Sequence, residues 1–470
     1  METGKKTNLV WILSDQHRFC DTGYAGNQDV ETPHLDELAK EGAEFTAAYS
    51  SCPLCVPARG TILTGLQALR HGAAANDLPV RPECESVATV LNKAGYHTAY
   101  LGKWHLGGAP RDAFIPHYNR LQFQYWRGNN CNHNYLQGYY DDENNLRHKI
   151  EGYAPIGETA LALDYLEDYG KKEQPFAMFV NYSIPHDPYF LLPEGDLERY
   201  TSRELTLRKN CESSIRPEEA CMVPYDPKKM YAGYYSHIRQ LDIQIGRIVK
   251  KLKEIGKYED TVILYTSDHG DMLGSHGYLN KQLYFDESAR IPLLISWPGH
   301  IPGGKRKTAI SLADVAPTIL GLLGLHFESD IDGEDLSKIA LEEEKDRERF
   351  VYYYSYVPCH QAMNRKIESW RAVSNGEIML VSDHTRKVVA LYDMKKDPYQ
   401  MHNCSEDNEY QEIKKVLLRE LDIQVNHNDG YVPWQELLEN YKLEEQWEES
   451  EKFFRVILKN FYKKMGRETG

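Results

Sequence analysis

The sequence predicts an α/β protein: a large mixed, mainly parallel sheet flanked by helices, followed by a smaller C-terminal antiparallel α+β subdomain. Three observations predict it. Over the first two-thirds of the chain, short apolar runs alternate with helical patterns. Those runs are apolar throughout, as strands covered on both faces are. From about Arg349 the pattern changes to short runs joined by turn residues. The expected division is a larger N-terminal unit, residues 1–348, and a C-terminal subdomain, 349–470, with a small antiparallel sheet and a helical tail.

The candidate core strands are residues 8–14, 98–101, 176–182, 261–267 and 293–296. Between them, 87–94 reads as a short helix. Residues 230–255 read as a long one, because Ile238, Leu241, Ile245, Ile248, Val249 and Leu252 recur at helical spacing. Beyond Arg349, residues 351–356, 370–374, 377–381 and 388–393 read as antiparallel strands. Asn375-Gly376 marks a hairpin turn. A helix over 409–424 follows. The charged tail, 434–465, reads as helical, with Phe453, Phe454, Ile457, Leu458 and Phe461 as a stripe packed on the parent domain.

Composition narrows the function classes. With 470 residues, 41% of them hydrophobic, the chain can bury a large core. No stretch approaches the ~20 apolar residues of a membrane helix. The net charge of −15 counts against a non-specific nucleic-acid binder. If the ligand is anionic, the basic groups must be concentrated in one pocket. The nine cysteines are odd in number and scattered, which reads as a reduced set. The N-terminal apolar run is too short for a signal-peptide core. The expectation is a cytoplasmic protein, or one whose leader has been removed, without nucleic-acid or membrane partners.

The strand ends carry the chemistry. Residues 8–14 run into Asp15-Gln16-His17, and 98–101 into Gly102-Lys103-Trp104-His105. Residues 176–182 run into Pro185-His186-Asp187-Pro188, and 261–267 into Asp268-His269-Gly270-Asp271. In open α/β sheets, ligands bind beyond the carboxyl ends of the strands. Cys55 alone is ambiguous. Cys52-Pro53-Leu54-Cys55 is a CxxC, which suits a redox pair, half a zinc site or a buried structural thiol. No second CxxC with zinc spacing is present, and the following segment does not suggest a thioredoxin-like setting. Pro57 suits the first turn of a helix. Cys55 then sits at a helix N-terminus, where an anion is favoured, with Arg59 one turn on.

The run from Cys55 to Gly65 resembles the signature of the type I sulfatases of the alkaline phosphatase superfamily. Cys55, Pro57, Arg59, Leu63, Thr64 and Gly65 match it, and Ala58 stands where the family usually has Ser. The likeness continues through Thr32-Pro33-His34-Leu35-Asp36, Gly95-Tyr96-His97-Thr98 and Gly102-Lys103-Trp104-His105. It extends over residues 266–271, Gly274-Ser275-His276-Gly277, Lys281 and Arg290-Ile291-Pro292-Leu293. It ends with Leu391-Tyr392-Asp393, Asp397-Pro398 and Asn403.

The resemblance implies hydrolysis of a sulfate monoester, with a sulfated sugar as the small anionic substrate. It implies that Cys55 is oxidised to formylglycine by a formylglycine-generating enzyme. It also implies one divalent metal held by Asp15, Gln16, Asp268, His269 and the modified Cys55. Calcium is the family norm. Many members have a second Asp at the Gln16 position and Asn at the His269 position, so magnesium and manganese stay open here. Lys103 and Lys281 are implied to hold sulfate oxygens, Arg59 to stabilise formylglycine and bound charge, and His105 to contact the formylglycine hydroxyl. His186 is implied to protonate the leaving alcohol. Two alternatives stand beside this reading. One is a phosphonate monoester or phosphodiester hydrolase of the same superfamily, which Asp15-Gln16 and Asp268-His269 also suit. The other is a non-catalytic binder of sulfated glycans. Residues 352–370, with Cys359, His360, Gln361 and Arg365, and residues 130–140 are candidates for the pocket mouth.

Overall fold

Every residue of β1 (Asn8–Asp15) is buried, and its side chains alternate between two cores. Leu9, Trp11 and Leu13 join one apolar cluster, and Val10 and Ile12 the other. A strand covered on both faces belongs in the middle of a sheet with helices on either side. The computed structural model, which describes residues 6–216, 219, 225–357 and 368–464, places it there.

The other strands of the N-terminal part are β2 (Ala43–Phe45), β3 (Ala48–Tyr49), β4 (His97–Lys103), β5 (Tyr125–Asn129), β6 (Gly138–Asp142) and β7 (Arg147–Ile150). After these come β8 (Phe176–Pro185), β9 (Thr261–Ser267), β10 (Leu293–Ser296), β11 (Gly304–Arg306) and β12 (Ile310–Ser311). Ten strands form one sheet in the order β11-β2-β10-β9-β1-β8-β4-β5-β6-β7. The central five, β9-β1-β8-β4-β5, run parallel. Antiparallel pairs lie outside them, at β10 on one side and at β6 and β7 on the other. This is the mixed, mainly parallel sheet that the sequence predicts.

Helices cover both faces. Pro33–Glu41, Ala154–Asp168 and Pro227–Glu254 pack on the Val10 side, through Leu35, Ala162, Leu166, Leu241 and Ile245 among others. Cys55–Thr64, Val87–Lys93 and Leu312–Leu322 pack on the Trp11 side. The long helix begins three residues before the predicted 230. Pro227 occupies its first turn, and the Asp226 carboxylate accepts from the Lys229 N–H. Strands β5, β6 and β7, which lead to one edge of the sheet, were not expected. They carry polar and aromatic residues rather than an apolar run, and periodicity does not detect such strands.

Helix Ala154–Asp168 carries Glu158 into the interior, 5% exposed. Its Oε2 has no hydrogen-bond partner among the described residues. Burial pushes its carboxyl up to about 8. A folded-state pKa above the unfolded one means that this stabilisation is complete below about pH 4 and lost as pH rises towards 8. Glu158→Gln should therefore flatten the pH dependence of stability across that window. The slope it removes is up to about 1.4 kcal/mol per pH unit, measured by denaturant titrations at stepped pH.

Four strands, β13 (Val351–Ser355), β14 (Trp370–Ser374), β15 (Ile378–Asp383) and β16 (Val388–Asp393), form the separate antiparallel sheet expected beyond Arg349. At the Asn375-Gly376 turn, the Asn375 side chain accepts from the Glu377 and Ile378 N–H groups, and Gly376 has φ 86°. One face of this sheet packs on helix Gln411–Asn428 through Leu417, Leu421 and Val425. The other packs against Ala47, Tyr49, Met272 and Leu283 of the N-terminal part. The predicted tail helix is two helices, Trp434–Tyr441 and Glu444–Lys464, because Lys442 between them is left-handed at φ 55°. Phe454 is buried and Phe453 half-buried. The Ile457, Leu458 and Phe461 side chains lie outside the described ones.

One glycine positions the site directly. Gly102, the penultimate residue of β4, has φ 90°, and a Cβ there would stand 2.1 Å from the Asn181 carbonyl oxygen on β8. Only glycine permits this backbone approach. Gly102→Ala should cost about 2 kcal/mol or more, read as a lower denaturation midpoint.

Candidate active site

The parallel topology points the carboxyl ends of β1, β4, β8 and β9 the same way, and their terminal residues converge. Asp15 ends β1, Lys103 ends β4, His186 follows β8, and Asp268 and His269 follow β9. Asp15, Gln16, Arg59, Lys103, Asp268, His269 and Lys281 are buried, none more than 1% exposed. The chain carries net charge −15, yet three cationic side chains are gathered here. Their partners explain how. Lys103 Nζ donates to Asp15 Oδ2 at 2.5 Å. Arg59 donates from Nη2 to the same oxygen at 3.1 Å, from Nε to Asp268 Oδ2 at 3.0 Å, and from Nη1 to the Lys103 carbonyl at 3.1 Å.

Cys55 is the first residue of helix Cys55–Thr64, and every residue of that helix is buried. Its Sγ lies 3.2 Å from His269 Nε2 and 4.0 Å from Asp15 Oδ1. The helix turns back at Gly65, left-handed at φ 68°, whose N–H reaches the Thr61 carbonyl. The sequence reading expected backbone N–H groups here to favour an anion. The structure places Cys55 at that helix end and shows which backbone groups there are taken. Pro57 has no N–H, and the Val56 N–H is donated to Asn76 Oδ1 at 3.2 Å. The side chains of Lys281, Lys103 and His269 add positive charge around Cys55. The other half of the CxxC, Cys52, packs in a separate apolar cluster with Leu54, Tyr352 and Tyr354.

The electrostatics follow from this packing. Burial pushes the Asp15 carboxyl up, but Lys103, His186, Arg59 and His269 outweigh it and hold the group well below the usual carboxylate range. Burial and Asp15 oppose ionisation of Cys55, while Lys281, Lys103 and His269 bring its thiol below its ordinary value. Burial lowers His105 and His186 well below the usual imidazole range. Lys103 and Arg111 reinforce this at His105, as His133 and Lys281 do at His186.

Asp15, Cys55, Asp268 and His269 form one buried group whose ligand atoms lie within 4.8 Å of one another. The donor set fits a divalent cation: two carboxylates and an imidazole nitrogen. His269 Nδ1 donates to the Gly270 carbonyl at 2.9 Å. That contact leaves Nε2 turned towards the carboxylates, the orientation a metal-ligating histidine takes. Gln16 stands slightly apart. It has φ 71°, its N–H donates to Asp268 Oδ1 at 3.1 Å, and its amide bridges outward. Oε1 accepts from Lys281 Nζ at 2.5 Å, and Nε2 donates to Asp271 Oδ2 at 2.7 Å.

His186 Nδ1 donates to the Asp187 carbonyl at 2.6 Å, which leaves Nε2 to accept from Lys281 Nζ at 2.7 Å. His105, at φ 58°, is buried with neither ring nitrogen hydrogen-bonded among the described residues. Buried polar groups are nearly always hydrogen-bonded, so this one calls for an explanation. Direct contacts thus join Asp15, Gln16, Cys55, Arg59, Lys103, His186, Asp268, His269 and Lys281, from strand ends, one helix and the loop that carries Lys281, while His105 follows Lys103 by two residues.

The structure adds residues that the sequence reading missed. His133 lies in the loop after β5, its Nε2 3.0 Å from Lys103 Nζ, and its ring stacks on His186 with centroids 4.0 Å apart. It falls inside the 130–140 segment flagged for its Asn, His and Tyr content, the one signal that pointed to it. Tyr189 donates to Asp271 and so fixes the carboxylate that holds Gln16. Arg111, paired through two hydrogen bonds with Asp77 at 2.7 and 2.8 Å, adds a further cation beside His105. Nothing in the spacing of Arg111 distinguishes it from a surface arginine. Of the other flagged segment, 358–367, with Cys359, His360, Gln361 and Arg365, lies outside the described residues.

Comparison with known proteins supplies an independent view. A family model described as Sulfatase matches residues 7–325. A second, described as N-sulphoglucosamine sulphohydrolase, C-terminal, matches 274–427. An ulvan-active sulfatase of Formosa agariphila is 34% identical over 435 residues, covering 90% of this chain and 80% of that protein. A structure solved in work on glycosaminoglycan metabolism by Bacteroides thetaiotaomicron superposes with TM-score 0.81 at 25% identity, covering 93% of this chain and 99% of the other. A phosphonate monoester hydrolase of Agrobacterium radiobacter superposes with TM-score 0.73 at 23% identity, covering 90% and 96%, a likeness of fold alone.

Proposed function

Because this chain belongs to the sulfatase family, we propose that it hydrolyses the sulfate monoester of a sulfated carbohydrate at the Cys55 centre. The observation that carries this is the buried cluster itself. A thiol, two carboxylates, an imidazole and three cations meet at the carboxyl ends of the sheet in a chain of net charge −15. The ulvan-active and glycosaminoglycan-related relatives support a carbohydrate ester as substrate. The same reading assigns catalysis to residues 1–348 and takes 349–470 as the C-terminal subdomain.

Formylglycine made from Cys55 would supply a carbon-borne hydroxyl as nucleophile, and a divalent cation held by Asp15, Gln16, Asp268 and His269 would neutralise charge and acidify that hydroxyl. This chain's own residues do the rest. Lys103 and Lys281 bind sulfate oxygens and neutralise the charge that builds there. Arg59 holds Asp15 and Asp268 in place. The proton for the departing alcohol oxygen starts on Lys281 Nζ, which donates to His186 Nε2 at 2.7 Å, and passes to the alcohol through that nitrogen, His186 keeping its own proton on Nδ1 against the Asp187 carbonyl. His105, whose two ring nitrogens are unsatisfied among the described residues, would be available to accept a hydroxyl proton. Conversion of Cys55 requires a formylglycine-generating enzyme during maturation, because the chain alone supplies only a thiol.

Calcium is the assigned metal, on the oxygen-rich donor set. Dialysis against a chelator should abolish hydrolysis and lower the melting temperature. Calcium should restore both more fully than magnesium or manganese, and equal restoration by all three would remove the assignment. The function is tested by assaying a panel of position-defined sulfated monosaccharides, an aryl sulfate and the phenyl monoester of a phosphonate in parallel. Purified protein whose Cys55 conversion has been verified by peptide mass spectrometry should release sulfate from at least one sugar ester. An unmodified thiol in fully active protein would overturn the proposed chemistry.

A further inference from the structure

A closed circuit of side chains surrounds the reaction centre, and one member has no place in the account above. Asp15 Oδ2 accepts from Lys103 Nζ at 2.5 Å, and that ammonium donates to His133 Nε2 at 3.0 Å. The His133 ring stacks on His186, with an interplanar angle of 24° and centroids 4.0 Å apart. His186 Nε2 accepts from Lys281 Nζ at 2.7 Å, and Lys281 donates to Gln16 Oε1 at 2.5 Å. Gln16 follows Asp15 in the chain, so the circuit closes. Opposite the Asp15–Gln16 peptide, His133 joins the Lys103 half to the His186 half, with a hydrogen bond on one side and a ring stack on the other.

We propose that His133 is a positioning residue for the proton donor, fixing the plane of His186 by stacking and the aim of Lys103 by accepting its proton. This rests on the reading of the site as a sulfatase centre with His186 as acid. The geometry gives His186 two restraints besides the stack, Nδ1 on the Asp187 carbonyl and Nε2 on Lys281. Both lie in the ring plane and leave the ring free to rock about the axis that joins them. A face-on neighbour 4.0 Å away stops that motion. Nε2 of His133 faces an ammonium and can only accept, so the ring is neutral with its proton on Nδ1. Two neutral rings stack without repulsion, whereas two imidazolium rings would not.

A positioning role for the leaving-group acid has a signature. It matters for a sugar alcohol, which leaves poorly without a proton, and little for a nitrophenol, which leaves well. His133→Ala should reduce kcat about tenfold or more on a sugar sulfate, with a smaller change in KM, and about threefold or less on nitrophenyl sulfate. His133→Phe keeps the stack and should recover most of the loss. In a His186→Ala background, His133→Ala should cost little more, because its partner is gone. Equal losses on both esters, or no recovery by phenylalanine, would overturn the proposal.

A second readout does not depend on turnover. In histidine-labelled protein, His133→Ala should move the His186 ring resonances through loss of the neighbouring ring current, and His133→Phe should restore them. Unmoved His186 resonances would overturn the stack as an element of the site. If the unsubstituted, modified protein released sulfate from neither ester, the sulfatase reading would fail, while these resonances would still decide the role of His133 in holding His186.

Discussion

Cys55→Ala should lower sulfate release by about 10⁴-fold or more while leaving the fold intact, since the proposed nucleophile is made from this residue. The substitution removes one buried sulfur next to His269 and Asp15 and disturbs no ion pair. Arg59 keeps its bonds to Asp15 and Asp268, and Lys103 keeps its bond to Asp15. The variant should still bind the ester, because the cations that receive it remain. Steady-state kinetics, a thermal melt and calorimetric titration with a non-turned-over ester separate these outcomes. Retained turnover by the alanine variant would show that the chemistry does not pass through residue 55.

Arg59→Gln should have the second largest effect, and on stability as well as activity. The guanidinium is 1% exposed and bonds two fully buried carboxylates. Removing one partner of a buried ion pair typically costs 3–5 kcal/mol, because the other charge is left unpaired. Here two carboxylates would lose a partner, although Lys103 still reaches Asp15. The expected loss is therefore about 3–5 kcal/mol in metal-depleted protein, read from denaturant titrations. Saturating calcium should restore part of it, since a cation between Asp15 and Asp268 offsets the missing charge. Turnover should fall about 100-fold or more at temperatures where the variant remains folded. A variant as stable as the parent in chelator would mean that these ion pairs do not hold the site together.

Much of this was legible in the sequence because the chain writes its central strands plainly. β1, β9 and β10 are short, apolar and bounded by polar residues, since both faces are covered by helices. The site residues at their ends were legible for the same reason, as polar clusters that follow buried strands. Strands β5 to β7 were not, because they are only partly buried and their composition is that of a loop. That blind spot explains why His133 was missed. It stands after a strand that periodicity does not reveal, so it could not be counted with Lys103 or His186. The environment of Cys55 was read in part. Its helix and its proximity to Arg59 follow from Pro57 and one turn of spacing. The capture of the Val56 N–H by Asn76, some 20 residues on, is a tertiary contact with no local signal.

The domain-like change at Arg349 was visible as a switch from long helical patterns to short strands. Its packing was not. Tyr353 and Val351 face the N-terminal part, stacking Tyr353 on Tyr49 at 5.2 Å, whereas Tyr352 and Tyr354 face the cluster of helix Gln411–Asn428. A strand of consecutive tyrosines has no polar face, so alternation could not tell which side was covered.

The most direct test of the central claim is inorganic sulfate release from position-defined sulfated monosaccharides, compared with phenol release from the phenyl monoester of a phosphonate, by protein with Cys55 converted to the aldehyde. The structure and its family predict sulfate release from at least one sugar ester, at a kcat/KM above that for the phosphonate and lost on Cys55→Ala. Faster cleavage of the phosphonate, with every sugar sulfate left intact, would contradict it.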